Sequence, residues 1–67
     1  MLPVESSAIA RIGYDAENGA LVVEFTTGRT YIYSDVPEEA YAGLLTAESK
    51  GSYFNREVAP HHAGREI

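Results

Sequence analysis

Asn18-Gly19 lies between two runs of strand-forming residues, and no other feature narrows the available folds as much. An Asn-Gly pair tolerates the positive φ angles that a tight hairpin turn demands. Before it, Ala8-Ile9-Ala10-Arg11-Ile12-Gly13-Tyr14 reads as a strand of mixed polarity. After it, Ala20-Leu21-Val22-Val23-Glu24-Phe25 alternates, with Leu21, Val23 and Phe25 on one face and Val22 and Glu24 on the other. Thr26-Thr27-Gly28 supplies a second turn, and Arg29-Thr30-Tyr31-Ile32-Tyr33 a third strand, its tyrosines opposite Thr30 and Ile32. The pattern predicts a three-stranded antiparallel meander.

Antiparallel sheets commonly bury one face only, so the face carrying Leu21, Val23 and Phe25 needs a cover, and only the following segment can supply it. In Ser34-Asp35-Val36-Pro37-Glu38-Glu39 a polar capping residue, a proline suited to the first turn and two acids at the positive end of the dipole mark a helix start. Val36, Ala40, Leu44 and Ala47 then form an apolar stripe, which predicts a helix from Val36 to Ala47. Ser49-Lys50-Gly51-Ser52 interrupts it and starts a shorter helix over Ser52 to Val58, with Phe54 and Val58 at i, i+4 and Pro60 beyond. Strands first and helices after is the order of an α+β fold: a three-stranded antiparallel meander packed on one face by two C-terminal helices. Residues 1–7 read as a lead-in able to add a short strand, 8–58 as one domain, and 59–67, lacking any burial pattern, as a flexible tail.

At 67 residues the chain has room for one small core, and every large apolar side chain counts toward it. It has no Cys, which removes disulfides and thiolate metal sites and fits a reducing, cytoplasmic setting. The first residues lack the basic start and apolar run of an export signal, and no stretch is apolar enough to span a bilayer, so a soluble, unexported protein without a membrane partner is expected. The net charge of −5 opposes binding to phosphate backbones. That excess lies before Ser49. Lys50, Arg56 and Arg65 outnumber Glu57 and Glu66 in the last third.

Little in the chain points to catalysis. His61 and His62 are adjacent, so their side chains diverge, and a solvated tail explains them better than a metal site. Ser6, Ser7, Ser34, Ser49 and Ser52 sit at turns or helix starts, where capping accounts for them. Glu38-Glu39 occupy the helix position that favours acids. The six glycines match no phosphate-loop or dinucleotide spacing. No catalytic residue, cofactor, metal or small-molecule substrate is expected, and the chain does not read as an enzyme. The five tyrosines admit two readings. Tyr31 and Tyr33 could stack unpaired bases, with Arg29, Lys50 or Arg56 on phosphates. Alternatively they join Leu21, Val23 and Phe25 in the core.

Four motifs in order carry a resemblance: Ser6-Ser7-Ala8-Ile9-Ala10-Arg11-Ile12-Gly13-Tyr14-Asp15, Tyr31-Ile32-Tyr33, Val36-Pro37-Glu38-Glu39-Ala40-Tyr41 and Ser49-Lys50-Gly51-Ser52-Tyr53-Phe54-Asn55. From Val4 to Val58 the chain resembles the KTSC domain, a small module found alone in bacterial and phage proteins and at the C-terminus of some lysyl-tRNA synthetases. The resemblance carries the family's motif positions onto Tyr31, Tyr33, Ser49, Gly51, Tyr53, Phe54 and Asn55, all but Tyr53 read mainly as structural residues. Through the company of a tRNA enzyme it implies an association with RNA or tRNA. Related sequences often become more basic past the last motif, whereas this one continues Arg56-Glu57-Val58-Ala59-Pro60-His61-His62.

Two readings follow. In one, the domain is a non-catalytic RNA-associated binding module, with Arg29, Lys50, Arg56 and Arg11 on phosphates and Tyr53 or an exposed YxY tyrosine stacking a base. In the other, it binds a protein partner or itself through the sheet face bearing Thr30 and Ile32, or through the sheet edge. Exposed aromatics clustered beside the cations favour the first; buried tyrosines with scattered cations favour the second.

Overall fold

The computed structural model describes residues 2–3 and 8–67 of the chain. Its sheet has five antiparallel strands in sequential order: β1 (Leu2–Pro3), β2 (Ile9–Asp15), β3 (Ala20–Phe25), β4 (Thr30–Tyr33) and β5 (Gly64–Glu66). Between β4 and β5 come helix α1 (Glu38–Thr46) and helix α2 (Lys50–Tyr53), which continues directly into a π-helical turn over Phe54–Val58. The α+β class and the three-strand meander, β2-β3-β4, are as the sequence pattern implies. Ser6 and Ser7 lie outside the described residues, as does most of the lead-in.

The mixed polarity of β2 has a local cause. Ile9 pairs with Phe25 and Arg11 with Glu24, so Ala10 is an extra residue in the ladder. Strict alternation would send Ile9 and Ile12 to opposite faces; the bulge returns both to the core, where each is fully buried. In β3, Leu21 and Val23 are buried, Leu21 opposite Tyr33 and Val23 opposite Tyr31. The helical layer contributes Leu44, Phe54 and Val58, and the approach to α1 contributes Val36. The tyrosine pair therefore lies on the covered face. The other face presents Arg11, Val22, Glu24, Thr30 and Ile32, none of them fully buried.

The elements and their connections depart from expectation in four places. The first hairpin closes through residues 16–19 as a four-residue loop in which only Gly19 takes a positive φ, 65°. Asp15 accounts for this, because its carboxylate accepts the Glu17 and Asn18 backbone N–H groups and the Asn18 side-chain amide, leaving Asn18 in ordinary backbone space. Helix α1 starts at Glu38, after an N-cap at Pro37 that makes no side-chain cap bond. Ser34 does not cap it, and Asp35 turns the chain with φ 57°. Val36 is instead pinned to the first hairpin: its N–H donates to the Gly19 carbonyl at 2.8 Å and its carbonyl accepts the Tyr14 hydroxyl at 2.6 Å.

The second helix begins two residues earlier than expected, with Ser49 as its cap: Ser49 Oγ accepts the Ser52 N–H at 3.4 Å. It ends in the π turn, closed by Ala59 N–H to the Phe54 carbonyl at 2.9 Å, with both Phe54 and Val58 buried. The fourth departure is the segment expected as a flexible tail, residues 59–67. Gly64–Glu66 pairs with β4 in the register Tyr33↔Gly64, Ile32↔Arg65, Tyr31↔Glu66. All three β5 residues are exposed, so no apolar pattern marks the strand; backbone bonding and a glycine hold it. No helix among the described residues is long and apolar enough to cross a membrane.

Candidate functional site

The end of α1 and the start of α2 border an open cleft of about 480 Å³, lined by Thr46, Glu48, Ser49, Ser52, Tyr53 and Arg56 among others. Its floor depends on an absent side chain. Tyr53 lays its ring over Gly43 of α1, so a Cβ there would stand 2.7 Å from the ring's Cζ. Glycine in a helix interior costs about 0.5–1 kcal/mol relative to alanine, and the close approach of the ring is what it provides in return. The Arg56 guanidinium lies over the Tyr53 ring, 5.8 Å from its centroid. Ser49 Oγ donates to Ser52 Oγ at 3.0 Å, and the Lys50 ammonium donates to the Ala47 carbonyl at 3.1 Å, bridging the two helices. A cation over an aromatic ring, beside hydroxyls that donate and accept, suits a planar polar group or an anion.

Of the residues singled out from sequence, Lys50, Tyr53 and Arg56 share one helical stretch, and Ser49, Tyr53 and Arg56 line the cleft while Lys50 lies outside its lining. Arg29 lies apart, in the β3–β4 turn, where it pairs with Glu66 of β5 at 3.7 Å. Arg11 pairs with Glu24 across the open sheet face. Tyr33 is 8% exposed and meets Phe54 edge-on at 5.1 Å, while Tyr31 is half-buried against Phe25 and Tyr33. Neither offers a free ring as a stacking platform. Phe54 belongs to the core, Gly51 faces Ala8 in ordinary contact, and Asn55 is exposed. His62 Nδ1 lies 3.2 Å from the Ser34 carbonyl, while His61 is exposed. No three His, Asp or Glu side chains converge as metal ligands among the described residues.

Three arginines, Arg11, Arg29 and Arg56, are paired with acids among the described residues. Hydrogen bonding to Arg11 holds the Glu24 carboxyl below its usual range, and the Asn18 amide does the same for Asp15. Arg56 reaches Glu57 at 3.4 Å. The Tyr33 phenol is pushed up, first by burial and then by the neighbouring Tyr31. Gly43, Thr46 and Glu48 were not singled out from sequence as site residues. The one readable signal was Gly43 itself, a glycine inside an otherwise regular helix.

This architecture has relatives. The family model of the KTSC domain matches residues 5–62. A protein of Tsukamurella paurometabola is 50% identical over 60 residues, 90% of each chain. An uncharacterized protein of Stutzerimonas stutzeri is 42% identical over 59 residues, 88% of this chain and 83% of that one. The crystal structure of a KTSC domain protein from Yersinia pestis superposes with a TM-score of 0.93 at 40% identity, covering 97% of this chain and 92% of that one.

Proposed function

The chain belongs to the KTSC domain family, and from the cleft just described we propose that it is a non-catalytic module that binds unpaired RNA. The observation that carries this reading is the Arg56 guanidinium lying over the Tyr53 ring, 5.8 Å from its centroid, in a hydroxyl-lined cleft, with Lys50 on the same helical stretch. Unpaired bases stack on aromatic rings and on guanidinium planes, and such stacking contributes about 1–3 kcal/mol per base. Lys50 and Arg56 take the flanking phosphates, while Tyr31 and Tyr33 serve the core. Lys50, Tyr53 and Arg56 lie past the acidic excess, while Glu48 adds one acid to the cleft lining, and a chain without cysteine suits the reducing cytoplasm where RNA is met.

Titration of an oligouridine with the intact domain tests this. Two or three phosphate contacts give a log–log salt slope of about −1.4 to −2.1, a fall in affinity of roughly 7- to 20-fold between 50 and 200 mM salt. Gly43→Ala, which drives the Tyr53 ring off its seat, weakens binding while leaving the thermal midpoint within a few degrees. Absence of binding at about 50 mM salt, or binding indifferent to Gly43→Ala and Tyr53→Ala, overturns the proposal.

A further inference from the structure

We infer that the outer edge of β5 is a docking site for an extended acidic peptide segment of another protein, added to the sheet as a further strand. In an antiparallel pair, alternate residues exchange backbone bonds with the neighbour and those between them point away. Ile67 N–H donates to the Thr30 carbonyl at 2.9 Å, and in the β4–β5 register this makes Ile32/Arg65 the next bonded pair. The N–H and C=O groups of Gly64 and Glu66 therefore point outward, and among the described residues no strand pairs with β5 on that side. An edge of this kind is a template for strand addition.

The side chains specify the occupant. Arg65 forms no ion pair among the described residues, in contrast to Arg11, Arg29 and Arg56, each of which has an acid. It projects from the open sheet face opposite Ile32, and Ile67, 66% exposed, follows on the same face by alternation. An antiparallel segment reading apolar-x-acidic places its apolar residue across from Ile67 and its carboxylate across from Arg65. Glu66, on the other face, is already held by Arg29 and makes no demand on the partner. A second copy fits poorly. The register that engages both outward residues, Gly64 opposite Glu66 of a second copy, puts the two Arg65 side chains directly across from each other.

The test uses the intact domain and a blocked peptide, Thr-Val-Thr-Glu-Thr-Val, followed by amide NMR shifts and calorimetry. Binding shifts the Gly64 and Glu66 amides. Replacing the peptide glutamate by lysine weakens it roughly tenfold, a lost cross-strand attraction plus a gained repulsion, and Arg65→Glu restores the lysine peptide while rejecting the original. N-methylation of the two threonines that face β5 abolishes binding, and N-methylation of the glutamate leaves it. No shift at Gly64 and Glu66, equal affinity for both peptides, or the same shifts produced by oligouridine instead of peptide overturns the inference.

Discussion

Alanine in place of Gly64 sets one added methyl group against the aromatic core. Its Cβ would come within 2.8 Å of Tyr33 Cζ and 3.0 Å of Cδ2, closer than real Cβ atoms approach such neighbours. The Tyr33 ring has little room to yield, being 8% exposed and wedged between Phe54 at 5.1 Å and Tyr31 at 6.4 Å. The cheaper relief is for β5 to lift. Lifting gives up the Ile67 bond to Thr30 and the Ile32/Arg65 pair, each bond contributing about 1 kcal/mol net. It returns about 1 kcal/mol of backbone entropy for each of roughly four freed residues. Those terms nearly cancel, so the residual cost is the Tyr33 surface uncovered, a few tens of Å² at about 25 cal/mol per Å². The expected destabilisation is therefore only about 0.5–1 kcal/mol, lowering the midpoint by about 4–8 °C per kcal/mol in a domain of this size. Hydrogen exchange locates it: the Arg65 and Ile67 amides lose protection while β2–β3 amides keep theirs. A wild-type midpoint with Arg65 and Ile67 still protected would refute the reasoning by showing that the aromatic cluster makes room. Loss of more than about 4 kcal/mol would refute it from the other side, since β5 would then be inseparable from the core.

Two further outcomes follow from the same packing. Leu44 is fully buried and is the one α1 residue that reaches full burial, so Leu44→Ala costs about 2–5 kcal/mol, as much as a core this small supplies, and circular dichroism at 25 °C should find the variant largely unfolded. Burial raises the Tyr33 pKa, so the folded chain keeps this proton after the unfolded chain has released it. Stability present below the ordinary tyrosine pKa is therefore lost as pH climbs above about 10. Tyr33→Phe, which removes a hydroxyl with no hydrogen bond among the described residues, should leave the midpoint near neutrality unchanged and flatten the alkaline decline; an equally steep decline in the variant counts against Tyr33 as its source.

What could be read from the sequence depended on how far each residue's reason lies from it along the chain. Strands β3 and β4 announce themselves because Leu21, Val23, Tyr31 and Tyr33 alternate locally and share one covered face. Helix α1 is legible from the stripe Val36, Ala40, Leu44 and Ala47, although its start shifted once Val36 found its partners in the first hairpin. The bulge at Ala10 is half legible: two isoleucines three apart cannot share a strand face without one extra residue between them. β5 and the cleft are different, because each turns on a glycine whose meaning comes from a distant tyrosine. Gly64 reads as a loop residue until the β4 ring of Tyr33 lies across it, and Gly43 as a weak helix residue until Tyr53 folds back over it. A missing side chain carries no pattern of its own. Periodicity can therefore find where a side chain is buried, but not where one must be absent, and in this fold both the candidate cleft and the free sheet edge were built at such absences.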